Sequence, residues 1–129
     1  MLNTGKFLVA GGGLATDDDG ATSELFDPVS LTFSQTALAS GLTAAHLTGT
    51  ATVLPDGLVA LVGGTILPSG DITDITNIYD PNTGEYLPLF RMNHPREVAA
   101  ASLLSNGQVL ATGGDTDLGL NSTSAELLH

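Results

Sequence analysis

Apolar residues in this chain fall in short runs bounded by glycine or by Asp-Pro, without the three-to-four-residue spacing of a helix face. Gly5-Lys6-Phe7-Leu8-Val9-Ala10-Gly11-Gly12, Gly57-Leu58-Val59-Ala60-Leu61-Val62-Gly63-Gly64 and Gly107-Gln108-Val109-Leu110-Ala111-Thr112-Gly113-Gly114 share one template, and their first glycines lie 52 and then 50 residues apart. Runs of this length between turn residues predict strands. A second block follows each Gly-Gly: Ser23-Glu24-Leu25-Phe26-Asp27-Pro28, Thr76-Asn77-Ile78-Tyr79-Asp80-Pro81 and Ala125-Glu126-Leu127-Leu128-His129. Six residues beyond the Asp of each Asp-Pro stands an aromatic, Phe33 or Tyr86. A third block, Ala/Thr-rich, precedes two of the Gly strands at 47–56 and 97–106, and Asp56-Gly57 and Asn106-Gly107 predict two-residue hairpin turns with both central residues at positive φ.

Each period therefore reads as four short strands: a small-residue inner strand, the apolar strand ending in Gly-Gly, the strand into Asp-Pro, and an outer strand at 32–36 or 85–89. Proline ends the third strand because it cannot donate to a ladder. Four antiparallel strands recurring every ~50 residues describe a β-propeller blade, so the expected fold is all-β, an incomplete propeller of about 2.5 blades. The divisions fall at 1–40 (a partial blade), 41–90 (a full blade) and 91–129 (a partial blade). Repeat units bury their faces only against neighbours. Completion is thus expected from copies of the chain itself, two of which approximate a six-bladed ring, or from the rest of a longer propeller.

The residues that define the repeat resemble those of bacterial kelch-repeat proteins, including the propeller of the galactose-oxidase-like group. They are the Gly pairs Gly11-Gly12, Gly63-Gly64 and Gly113-Gly114, the steps Asp27-Pro28 and Asp80-Pro81, the aromatics Phe33 and Tyr86, and Arg96 before an inner strand. Where the resemblance expects a second such Arg the chain has His46, and the His expected shortly after is Gly49 or Ala99. For the galactose-oxidase-like group the resemblance implies a copper centre with Tyr and His ligands and a thioether-crosslinked Cys. This chain has no Cys and no Trp, and its two tyrosines, Tyr79 and Tyr86, occupy framework positions. The expectation is accordingly a non-catalytic chain without a cofactor.

Charge narrows the partners. Fourteen acidic residues face three basic ones, a net charge of −11, which repels phosphate backbones and anionic membranes. No apolar stretch approaches the ~18 residues of a spanning helix, and the first residues carry no signal-peptide pattern. An acidic, cysteine-free, Thr/Asp/Gly-rich repeat suits a bacterial extracellular protein.

Among candidate sites, Asp17, Asp18 and Asp19 offer closely spaced carboxylates that could hold Ca²⁺, without the spacing of a complete calcium loop. Asp71, Asp74, Asp115 and Asp117 stand in corresponding loops and would make one face negative if those loops share it. His46, His94 and His129 fall at different places in the repeat and suggest no shared metal or general-base site. Arg96 and Glu97 could bind an anion and activate water, against the plainer role of Arg96 as a bridge to carbonyls and loops between blades. Asn121-Ser122-Thr123 matches the glycosylation acceptor pattern, relevant only in a secretory setting. The expected function is a binding or scaffolding module whose loops recognise a protein or carbohydrate; the alternative is a fragment of a larger secreted galactose-oxidase-like or carbohydrate-active enzyme.

Overall fold

A computed structural model describes residues 1–11, 23–36, 48–66, 69–116, 119 and 121–128. Within them every regular element is a β-strand, and every pairing is antiparallel. The first sheet holds β1 (Phe7–Ala10), β2 (Ser23–Asp27) and β3 (Thr32–Gln35) in that order. The central sheet holds β4 (Thr50–Val53), β5 (Val59–Val62), β8 (Ile75–Asp80) and β9 (Glu85–Arg91), and the third holds β11 (Ala100–Leu103), β12 (Val109–Thr112) and β14 (Ala125–Leu128). Two small ribbons complete the set: β6 (Thr65–Ile66) with β7 (Asp71–Ile72), and β10 (Arg96–Glu97) with β13 (Asp115–Thr116).

The central sheet is covered on both faces, which is why β5 can be an unbroken apolar run, Val-Ala-Leu-Val, with all four residues buried. Successive side chains point to opposite faces. Val59, Leu61 and Tyr79 turn toward the first sheet and pack with Leu2, against Leu8, Ala10, Leu25 and Tyr86. Ala60, Val62 and Ile78 turn the other way, packing with Met92 against Leu54 of the hairpin before β5 and Ala101, Ala111 and Leu128 of the third sheet. Between the first two sheets the Tyr86 hydroxyl meets Ser23 Oγ at 2.6 Å, and Ser23 Oγ meets the Thr36 hydroxyl at 2.7 Å, so the buried hydroxyls satisfy one another. At the edge of this sheet β9 slips its register against β8 between Thr76 and Ile78.

The hairpin turns differ from the two-residue form expected of Asp-Gly and Asn-Gly. Only the glycines, Gly57 (φ 89°) and Gly107 (φ 87°), take positive φ. Gly57 N donates to Leu54 O and Leu54 N to Leu58 O, while Asp56 Oδ1 accepts from Leu58 N at 3.1 Å. This is the longer hairpin, a turn closed by one left-handed glycine. Pro55 suits it because its fixed φ fits the first turn position.

The turn after Asp-Pro offers a test of local strain. In the second repeat Gly84 (φ 77°) takes the left-handed position, and in the first repeat Leu31 (φ 56°) takes it while 74% exposed. A side chain there costs about 1–2 kcal/mol, and glycine returns roughly 0.5–1 of that as chain entropy. Leu31→Gly should therefore stabilise the protein by about 0.5–1 kcal/mol in urea unfolding. A loss of stability would show that Leu31 makes a contact outweighing its strain.

Candidate functional site

Titratable and polar groups gather where the central sheet meets the third, around β10. Arg96 is 1% exposed, and each nitrogen of its guanidinium has a partner: Nε to Glu126 Oε1 at 3.0 Å, one terminal nitrogen to the carbonyls of Gly113 (3.0 Å) and Ser124 (3.3 Å), the other to Ser124 Oγ at 3.0 Å. Its own backbone ties the other way, with Arg96 N donating to Thr73 O and Gly64 N donating to Arg96 O. One residue thus fastens the Gly-Gly corner of the central sheet to that of the third. Glu126 also accepts from Asn93 N at 2.6 Å and Asn93 Nδ2 at 3.0 Å.

Burial pushes the Glu126 carboxyl up, but the Asn93 N–H and the Arg96 guanidinium together outweigh it and hold the group below its usual 4.5. The folded state therefore binds this proton more weakly than the unfolded chain does. Its stabilisation is whole above about pH 4.5 and is lost as the pH falls through the depressed folded value. Between pH 4.5 and 3, Glu126→Gln should lose stability less steeply than the parent in urea titrations; parallel slopes would remove Glu126 from the acid response.

Next to Arg96, Glu97 accepts from the Thr65 hydroxyl and, at 3.0 Å, from the Thr48 hydroxyl, while Val98 N donates to Thr48 O. Glu97 is thus engaged by hydroxyls from the central repeat. Two of the loop carboxylates are occupied locally: Asp74 pairs with Arg91 at 2.6 Å, an exposed bridge worth about 0–1 kcal/mol, and Asp115 Oδ1 accepts from Asn121 N at 2.7 Å. Asp27, at the end of β2, is held below the ordinary aspartate range by the N–H groups of Val29 and Ser30. Asn121 stands in an exposed turn at φ 55°. His94 is half-buried beside Arg96 in the chain, and it has a partner within the fold. The calcium candidates Asp17, Asp18 and Asp19, along with Gly12, His46, Asp117 and His129, lie outside the described residues.

Metal-binding chemistry finds little here. Among the described residues no three His, Cys, Asp or Glu side chains converge as a metal site. The two tyrosines stack in the cleft between the first and central sheets with ring centroids 5.2 Å apart. Tyr79 is fully buried, and burial, with the neighbouring Asp80 carboxylate, pushes its phenol up; burial pushes Tyr86 up as well, partly offset by Ser23. Both phenols stay protonated and serve the core.

The sequence singled out Arg96 but not Glu126, its counter-ion, although the repeat holds the signal. Glu126 stands opposite Ala111 on the Gly strand as Asn77 stands opposite Leu61. The copy with Arg has Glu at that place, and the copy with His46 has Asn.

No family model matches the chain, and no curated protein matches it. Solved structures do match, 111 chains in number. One is a fungal alcohol oxidase of the AA5 family in complex with copper, similar with a TM-score of 0.72 at 18% identity over 99% of this chain. The chain spans 27% of that oxidase's length. At this identity the likeness speaks for the fold. It nonetheless corrects the expectation of a chain unconnected with catalysis or cofactor, because the structure it resembles is that of a copper enzyme. The described residues do not fit copper themselves: the chain has no Cys, both tyrosines are in the core, and no donor set converges.

Proposed function

We propose that the chain is a segment of a larger galactose-oxidase-like kelch propeller enzyme. In it, residues 41–90 form one complete blade, and residues 1–40 and 91–129 form parts of the two blades beside it. The coverage carries this reading: nearly all of the chain, 99%, superposes on barely a quarter, 27%, of a copper alcohol oxidase. The repeat supports it, since three sheets stacked face to face leave outer faces that only further sheets of the same kind would cover.

On this reading the chain's residues are scaffold. Arg96 and Glu126 lock the central blade to the third, Tyr79 and Tyr86 fill the space between the central blade and the first, and the donors for copper come from polypeptide beyond the described residues. Copper would supply the redox chemistry of alcohol oxidation, and the blades would hold its ligands in place.

The test is to isolate the native species that contains this chain, with an antibody against it, and to measure copper content and oxygen uptake on primary alcohols and galactose. A species several times larger than the chain, with chelator-sensitive, alcohol-dependent oxygen uptake, is the expected result. A closed ring built only of this chain, with no such uptake, would overturn the proposal.

A further inference from the structure

The three sheets differ at the inner edge of the Gly strand. In the central sheet β5 is covered by β4, and in the third β12 is covered by β11; in the first sheet, among the described residues, β1 pairs with β2 alone. The turn leading to the missing neighbour is formed all the same. Gly5 N donates to Leu2 O and Leu2 N to Lys6 O, just as Gly57 and Leu54 do before β5, and Gly107 and Leu104 before β12. Met1 therefore stands where Val53 and Leu103 end β4 and β11.

Beside β1 lies an open groove of about 350 Å³, walled by Met1, Leu8, Val9, Ala51, Thr52 and Val53 among others. Its apolar walls face water: Met1 is 76% exposed, Val9 47% and Val53 38%. A small-molecule site of that size commonly adds a few converging polar side chains to apolar walls. Here Thr52 is the one polar side chain of the lining, and the main polar resource is the backbone of β1. In the central sheet Gly63 N bonds to Ile75 O on the β8 side, so alternation aims the N–H groups of Ala60 and Val62 at β4. Their counterparts in β1 are Leu8 and Ala10.

We infer that the free edge of β1 accepts a short β-strand of small residues, donated by the polypeptide that leads into Met1, running antiparallel to Phe7–Ala10 and filling the groove against β4. The two strands already in equivalent places fix its chemistry: Thr50-Ala51-Thr52-Val53 and Ala100-Ala101-Ser102-Leu103 carry no charge and nothing bulkier than Leu. Any bulk would collide, because inner strands lie side by side, as β11 lies by β4 through Val98 N to Thr48 O. The turn at Leu2–Gly5 selects the source, since it already directs the chain back along β1. This rests on the reading of the chain as part of a longer propeller, but its test addresses the β1 edge and not copper or alcohol.

A peptide with the sequence of residues 48–53, extended by a soluble tail, should bind the 129-residue chain at one site and slow hydrogen exchange at the Leu8 and Ala10 amides at least tenfold. The same peptide with prolines replacing Thr50 and Thr52, whose N–H groups face the Gly strand in β4, should not bind, because proline there removes the ladder donors. Fused ahead of Met1, the native sequence should raise Tm independently of protein concentration. Absence of protection at Leu8 and Ala10 in both the mixed and the fused forms would overturn the inference. So would equal binding of the proline peptide, or protection of those amides by a second copy of the chain alone, seen as concentration-dependent dimerisation.

Discussion

Arg96→Met is expected to lower stability by about 3–5 kcal/mol and Tm by roughly 10–20 °C, the largest single-residue effect outside the glycines. The side chain is 1% exposed, and methionine matches much of its length, so little of the loss comes from a void. What is lost is satisfaction. Glu126, its side chain 9% exposed, would be left charged with only Asn93 to compensate it, and the Gly113 carbonyl would lose its Arg96 donor, while the Ser124 carbonyl would keep only Gly113 N. A buried pair need not stabilise relative to an apolar pair, so Arg96→Met combined with Glu126→Gln should recover part of the loss, with a coupling of about 1–3 kcal/mol. Arg96→Lys should recover little, because an ammonium cannot reach the carboxylate and two carbonyls with the geometry of the guanidinium fork. Denaturant unfolding of the parent, the two single variants Arg96→Met and Glu126→Gln, their combination and Arg96→Lys checks this. If Arg96→Met costs less than about 1 kcal/mol, the network is dispensable and the sheets are held by their apolar faces alone.

The strands were legible because their code is local. Val59-Ala60-Leu61-Val62 between a turn and Gly-Gly could hardly be anything but a strand buried on both faces, and its copies at Phe7–Ala10 and Val109–Thr112 followed from the period. The two ribbons were not legible. Thr65–Ile66 with Asp71–Ile72, and Arg96–Glu97 with Asp115–Thr116, are two residues a side, too short for alternation to register. The Asp-Gly and Asn-Gly dipeptides signalled hairpins but misled on the turn, since Pro55 and the Asp56 carboxylate favour the longer loop over the two-residue form. Of the two functional readings, the likeness to a copper alcohol oxidase supports the alternative, a galactose-oxidase-like fragment, over the non-catalytic module. Small strand-forming residues report the scaffold, whereas a copper site draws donors from separated loops, so a chain that matches 27% of an oxidase's length can share its fold without showing its chemistry.

The glycines after β5 and β12 should divide by what surrounds them. Gly63 (φ 61°) and Gly114 (φ 81°) both occupy the left-handed region, and a methyl on either would press well inside van der Waals contact of the backbone around β10, the Arg96 carbonyl of the next repeat for Gly63 and the Glu97 carbonyl of its own repeat for Gly114. Neither neighbour can retreat. Arg96 is fastened by Gly64 N and by its own side chain, and Glu97 is held by its pairing with Asp115 and by two threonine hydroxyls. Gly113 (φ 65°) has comparable backbone strain, yet an added methyl would sit 3.6 Å from the nearest heavy atom, the Ser122 carbonyl oxygen, and at Gly84 (φ 77°) it would meet nothing. Alanine at Gly84 or Gly113 should therefore cost only the left-handed penalty, about 1–2 kcal/mol. At Gly63 or Gly114 the collision adds about 1–3 kcal/mol, for a total of about 2–5, enough at its upper end to unfold a marginal repeat protein. Thermal or urea unfolding of the four alanine variants separates the two contributions. Equal losses at all four would mean that φ alone dictates glycine, and that the close crossing of one sheet's corner by the next contributes nothing to the choice.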